Sequence, residues 1–310
     1  MLGYLFGRTH ASEMTLVVTT AAGSTYDHTG RAFAEYLSLY LPGNPKIIVK
    51  NIPGASGAIG TTWLYDKAPR DGNTIALINK IIPLTQLLDP VNFDSRKFVW
   101  IGSPVRPGET IVVSKSTGVE SIEDVKRREV SLGATSAAGT LSMLPKMLNE
   151  LAGTKFRIIR GYPGERDVIL AMYRKEVEGK AGNPFGVYRI LYKDFSKGLN
   201  PIVHLSLKRD KEIPNTPLVQ EIVKKEKWIP ELMASISNIG RPIVMPPGVP
   251  EQKVAELRNA FAKMVKDPGF KKRLYDSGLE IDPVYSDELT GMVNRILSVR
   301  DTKRLREVIR

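Results

Sequence analysis

The sequence predicts an α/β protein made of two successive units, and three observations carry that prediction. Short β-branched apolar runs alternate with amphipathic helical stretches, the pattern of a parallel sheet with crossover helices. The alternation runs once from about residue 15 to 112 and restarts near 114, running to about 235. Three of the strands are followed by turns of one composition, rich in Ala, Gly, Ser and Thr: AAGSTYD (21–27), PGASGAIG (53–60) and ATSAAGT (134–140).

In the first unit, TLVV (15–18) predicts a strand and the stretch after its turn predicts a helix. That helix carries Phe33, Tyr36, Leu37, Tyr40 and Leu41 on one face. KIIVKN (46–51) is a second strand, followed by a helix with Ile59, Trp63 and Leu64. TIALIN (74–79), FVWIG (98–102) and TIVVS (110–114) are three more strands.

In the second unit, SIEDVKRRE (121–129) opens with a serine suited to an N-cap. VSLGA (130–134) is a strand, LSMLPKMLNELAG a helix closed by Gly153, and FRIIRGY (156–162) a strand. ERDVILAMYRKE (165–176) is a helix, and VEGKAGN and PIVHLSL (201–207) are strands. GRPIVMPPGVP (240–250) reads as Pro/Gly punctuation. The remainder reads as helix over 251–266, about 269–277 and 287–308, broken at Asp267-Pro268 and Gly278. Crossings between the units fall at GSPVRPGET (102–110) and near ISNIGRP (236–242). The expected division is a first lobe of 14–112 plus 237–310 and a second lobe of 113–236.

Composition narrows the function. With 310 residues and 42% hydrophobic content, the chain has material for one or two cores. It contains no cysteine, which excludes thiol catalysis, disulfides and thiolate metal sites. The net charge of +12 fits either nucleic-acid binding or a surface that attracts anions. The basic residues come in pairs such as Arg127-Arg128 and Lys224-Lys225 inside amphipathic helices, with no long basic block. A basic surface without a nucleic-acid partner is therefore expected. No apolar run approaches the roughly 20 residues of a membrane span. MLGYLFGRTHASE lacks a basic n-region and a full h-region, so residues 1–13 are set aside as a cloning remnant or the rest of a leader.

The three small-residue turns have a common use. Small side chains let a ligand approach the backbone, and a helix N-terminus offers free N–H groups and a positive dipole end. Crevices at strand C-ends are where ligands sit in open α/β sheets. Together these make an anion trap built from main chain. The alternative is that they are only tight capped turns. GASGAIG is not the dinucleotide G-x-G-x-x-G pattern, and no Walker A lysine follows any glycine turn.

No residue set calls for chemistry. The three histidines, His10, His28 and His204, are scattered, and no metal site is expected. G-x-S-x-G is absent, and Ser142 and Lys146 are four apart. Asp27-His28 is a possible dyad, but Asp27 is expected to cap the first helix. A binding protein without turnover or cofactor is the better expectation. The alternative is a doubly wound enzyme acting on a carboxylate or phosphate ester, with Asp27, His28 or Lys80 in its site.

At this point the motifs carry a resemblance. AAGSTYDHTGR, with Gly23, Asp27 and Arg31 in step, is followed by NIPGASGAIG and APRDGNTIALIN. GYPGERDVILAMYRKEVEGKAGN, EIPNTPLVQEI and PPGVPEQKVAELRNAF come later in that order. From about Thr15 to the C-terminal helices, the chain resembles the extracytoplasmic solute-binding proteins of tripartite tricarboxylate transporters.

The resemblance implies a two-lobed, periplasmic-binding-protein-like flytrap that closes over a small carboxylate. It also implies delivery to membrane transporter subunits, a monomer and a periplasmic or extracytoplasmic location. A sensor that binds the same ligands is a further option. The carboxylate would lie against Ala22, Gly23, Ser24, Thr25 and Tyr26, against Ala55, Ser56 and Gly57, and near Asn79 and Lys80. Second-lobe contacts are expected from Thr135, Ser136, Thr140, Tyr162 and Asn183. Relative to the family pattern, Ser24 replaces a glycine, Tyr26 a small residue, Pro163 a lysine and Asn183 an aspartate. Tyr26 is expected either to meet the ligand or to pack. Lys80, Arg160 and Lys180 are expected to be solvated.

Overall fold

The computed structural model describes residues 13–137 and 139–309; the N-terminal segment set aside above lies, but for Glu13, outside them. The strands are β1 (Glu13–Val18), β2 (Lys46–Asn51), β3 (Thr74–Leu77), β4 (Val99–Ser103), β5 (Glu109–Ser114) and β6 (Val130–Gly133), then β7 (Phe156–Ile159), β8 (Gly179–Lys180), β9 (Leu199–Leu205), β10 (Ile243–Met245) and β11 (Val284–Tyr285). The helices of the first half are α1 (Thr25–Ser38), α2 (Ala58–Asp66), α3 (Ile82–Leu88), α4 (Ile122–Arg127) and α5 (Thr140–Ala152). Those of the second half are α6 (Glu165–Tyr173), α7 (Phe185–Leu191), α8 (Lys193–Ser196), α9 (Val219–Ile222), α10 (Trp228–Ile239), α11 (Glu251–Met264), α12 (Pro268–Tyr275), α13 (Ser286–Leu297) and α14 (Thr302–Ile309).

Two sheets result. One has the order β11-β4-β10-β3-β1-β2, the other β7-β6-β8-β5-β9. In the first, β1 lies between β2 and β3, parallel to both, with Leu16 opposite Val49 and Ile75. All four residues of β3 are buried, as a strand covered on both faces requires. In the second, β6 runs parallel to β7 and β8, while β5 is antiparallel to β8 and β9.

The helix ends follow local chemistry. Ser24 caps α1 by accepting from Asp27 N at 3.2 Å. Ser121 and Asp124 form a capping box at α4. Asp267 caps α12 through Phe270 N at 2.9 Å, with Pro268 at the first helical position. Gly153 ends α5 in the left-handed conformation. The expected cap by Asp27 is thus corrected: the hydroxyl three residues earlier takes that place.

Three other expectations change. The Pro/Gly-punctuated stretch contains β10, which is fully buried and antiparallel to β3 and β4. Its three residues are too few to show a period between prolines. The long C-terminal helix is two, α13 and α14, separated around Arg300. Helices α3, α7 and α10 and strand β11 were not anticipated; α10 is buried along most of its length and shows no polar face to mark it.

The chain leaves the first sheet after Ser103 and enters the second at Glu109, so residues 109–112 run in the second sheet. It returns between Ile239 and Ile243. α13 packs on α3 and β4, whereas α14 lies against α5. The reason is apolar: Leu305, Val308 and Ile309 bury in one cluster with Met143, Leu144, Met147 and Leu148. Arg304 adds bonds to Glu226 and Glu150. The two units therefore share a continuous apolar cluster on the side where α14 lies.

Candidate functional site

The turns after β1, β2 and β3 face the turns after β6, β7 and β8 across a cleft. The cavity between them measures about 780 Å³. These turns follow the C-terminal ends of strands paired in parallel, the place where an open α/β sheet leaves a crevice, while Pro107, Glu109, Gly240 and Arg241 reach the cavity from the two crossings.

Ala22, Gly23, Ser24, Thr25 and Tyr26 line the cavity from the first turn. Asp27 is buried beneath them and holds the turn: its carboxylate accepts from Gly23 N at 2.9 Å, Asn51 Nδ2 at 3.0 Å and Arg31 Nε at 3.1 Å. Enclosure works against ionisation of Asp27, but these donors outweigh it and keep its carboxyl below the ordinary range. His28 is exposed at the mouth. No dyad forms.

The second turn is backbone-driven. Gly54, Ala55, Ser56 and Gly57 all have positive φ, at 124°, 45°, 54° and 97°. Two consecutive non-glycine residues in this region store strain, a feature that concentrates at functional sites. Gly57 is required where it stands. A Cβ there would sit 2.9 Å from Thr19 Oγ1 and 3.2 Å from Asn79 Cβ. Ser56 lines the cavity; Ala55 and Gly57 do not, and serve to shape the turn.

Asn79 and Lys80 follow β3 into the cleft. Lys80 is buried, not solvated: its Nζ lies 2.6 Å from Glu109 Oε1, which also accepts from Thr140 Oγ1 at 3.2 Å. Glu109 Oε2 is buried without a hydrogen-bond partner among the described residues.

Tyr26 resolves toward packing. Its hydroxyl donates to Gly240 O at 3.1 Å and accepts from Lys80 N at 3.3 Å. Its ring lies under the Arg241 guanidinium, 4.3 Å from centroid to Cζ. Arg241 is only 4% exposed, and its Nη2 donates to Thr25 Oγ1 at 3.2 Å. Its Nε and Nη1 are buried with no partner among the described residues. Burial lowers the Arg241 pKa, against the opposing pull of Tyr26, Glu165 and Glu109. Arg241 is thus a desolvated cation on a cavity wall, with two nitrogens unpartnered among the described residues.

On the other side, Thr135, Ser136, Thr140 and Asn183 line the cavity. Asn183 Nδ2 donates to Glu165 Oε2 at 2.6 Å. Behind them Lys180 is fully buried, 3.6 Å from Glu165 and 5.4 Å from the centre of the Tyr188 ring. Enclosure opposes ionisation of Glu165, but Lys180 and Asn183 prevail and hold its carboxyl below the usual range. The expectation of solvated lysines fails for Lys80 and Lys180 because each has a carboxylate partner; Arg160 is exposed as expected. Tyr162 does not reach the cavity. It packs beside Ala134, Leu141 and Val168, its ring filling space left by Gly133.

The cavity brings together twelve of the fifteen residues expected of it; Ala55, Gly57 and Tyr162 stand outside. Glu109, Glu165 and Arg241 were missed. Each is a charged residue abutting an apolar element, β5, α6 or β10, and that conflict with its surroundings is the signal that could have found it. Among the described residues, no cluster of His, Asp and Glu is arranged to hold a metal ion.

Comparison with known proteins agrees with this geometry. The family model described as the tripartite tricarboxylate transporter family receptor matches residues 31–308. No curated protein matches the chain significantly by sequence. A TctC solute-binding protein from Polaromonas is 20% identical, with 96% of this chain and 98% of that one covered and a TM-score of 0.70. Rpa4515 of R. palustris, solved with adipate, is 19% identical, with 97% and 98% covered and a TM-score of 0.75. MatC of Rhodopseudomonas palustris, solved with malate, is 16% identical, with 96% and 99% covered and a TM-score of 0.69. These likenesses establish the two-lobed periplasmic-binding-protein fold. The enzyme alternative falls: Asp27 and Lys80 are committed to internal partners, and the matching family is one of receptors. The chain belongs to the tripartite tricarboxylate transporter receptor family.

Proposed function

We propose that this protein is an extracytoplasmic receptor that captures a small carboxylate in the cleft and delivers it, without chemical change, to a membrane transporter. The observation that carries the carboxylate is Arg241, a buried guanidinium with two nitrogens unpartnered among the described residues, beside the N-terminus of α1. The adipate and malate of the similar structures are ligands of the same chemistry. Site residues are Ala22 to Tyr26, Ser56, Asn79, Thr135, Ser136, Thr140 and Asn183, with Arg241 added and Lys80 acting through Glu109. The lobes divide at the two crossings, with Glu109 opening the second. Family membership supports delivery to transporter subunits and a periplasmic location, and a monomeric state is part of the same proposal. Among the described residues no helix is long and apolar enough to cross a membrane.

The test is a thermal-shift panel of mono-, di- and tricarboxylates and aromatic acids, with phosphates as controls. A ligand present at 100 times its dissociation constant adds about 2.7 kcal/mol. For a chain of this size that is a rise of a few degrees. A carboxylate hit recovered intact by mass spectrometry is expected. A hit converted to product would overturn the receptor reading.

A further inference from the structure

We infer that the cleft takes a monocarboxylate, a ligand with one anionic group at Arg241 and an uncharged remainder. This rests on the carboxylate reading above and comes from how the cleft's own charges cancel. Lys80 is held by Glu109 at 2.6 Å, and neither side chain is more than a tenth exposed. Lys180, fully buried behind the second-lobe wall, faces Glu165 at 3.6 Å. Arg166 and Asp167, on the same wall, oppose each other in sign. Arg241 remains, buried and, among the described residues, with no carboxylate at ion-pair distance and with Nε and Nη1 unpartnered.

One such cation calls for one anion, because a buried charge is tolerated only when paired. A second carboxylate on the same ligand would lie away from Arg241 and meet Glu109 and Glu165 instead. Lys80 is already bonded to Glu109, and Lys180, whose Nζ faces Glu165 at 3.6 Å without a hydrogen bond, does not line the cavity. Glu109 Oε2, buried and without a donor, would repel it directly. Otherwise that wall carries the uncharged Thr135, Ser136, Thr140 and Asn183 and the apolar Leu141, Val187 and Leu191, and suits an uncharged body.

Isothermal titration of the purified protein, at neutral pH and fixed ionic strength, compares matched pairs: hexanoate with adipate, and benzoate with terephthalate. Each monoanion is expected to bind at least tenfold more tightly than its dianion. Glu165→Gln, which keeps a polar group for Asn183 but releases the charge of Lys180, is expected to shift the adipate-to-hexanoate ratio about tenfold toward adipate. If adipate or terephthalate binds the wild-type protein more tightly, this inference is overturned and the carboxylate receptor stands. If no carboxylate of either class binds while a phosphonate or an amine does, both fall. Should Glu165→Gln fail to fold by circular dichroism, the wild-type ratios alone decide.

Discussion

Arg241 separates a binding role from a structural one, because the two predict opposite effects on the unliganded protein. A buried guanidinium with two unpartnered nitrogens costs stability until an anion meets them. Arg241→Met keeps much of the volume over the Tyr26 ring and removes that cost. The melting temperature of the free protein is therefore expected to hold or rise, while carboxylate affinity falls. Hydrogen bonds to charged groups contribute about 1.5–3 kcal/mol, so the loss is about tenfold or more. Arg241→Lys keeps the charge but not the planar fork and is expected to fall between the two. Calorimetry and thermal melts on the same samples check both halves; a variant that loses stability and affinity together would make Arg241 a scaffold residue. Residues of this kind were the least legible in the sequence. The first-lobe turns announce themselves, since tiny side chains before a helix mean backbone approach within a few residues. Arg241 acquires its meaning from Tyr26 and Thr25, more than two hundred positions away, and Lys180 from Glu165 in the folded second lobe.

At the scale of elements, strands and helices with a clear period were legible, and those without one were not. β2 matches its apolar run residue for residue, and α1, α2, α5 and α11 lie where the 3.6-residue spacing puts them. β10 is three residues between prolines, and α10 is apolar on nearly every side, so neither shows a period. The α1 start also holds a prediction about its cap. Ser24 Oγ accepts from Asp27 N and lies 2.8 Å from Thr20 Oγ1. Ser24→Ala is expected to cost about 1 kcal/mol, the usual effect of losing a hydroxyl N-cap. Ser24→Gly, which restores the glycine of the family pattern, is expected to cost only a few tenths of a kcal/mol. Urea titrations of the two variants side by side measure the difference. Equal losses would mean that the Thr20 contact, not the cap, is what Ser24 supplies.

At the scale of the whole molecule, the units of the two sheets touch beside the cleft. Val187, at the start of α7 in the second sheet's unit, is buried in the first unit's apolar cluster with Leu279. Beside it the backbones touch: a Cβ on Gly278, where φ is 78°, would sit 2.4 Å from Val187 Cα. On the other side of the molecule, α14 ties to α5 and shares the apolar cluster that runs through both units. Opening about the α14 edge would part the Val187 contact, a hinge motion. Gly278→Ala forces a methyl into that contact and leaves both sheets and the cavity lining untouched. It is expected to favour the open form, so that closure must be driven by ligand alone. If opening becomes favoured by about 1.4 kcal/mol over closure, apparent affinity drops close to tenfold with no change in the cleft residues. Small-angle scattering of the free variant should show a larger radius of gyration than wild type, and saturating carboxylate should return it. A variant that binds as wild type does while remaining open would mean that closure and capture are uncoupled in this protein.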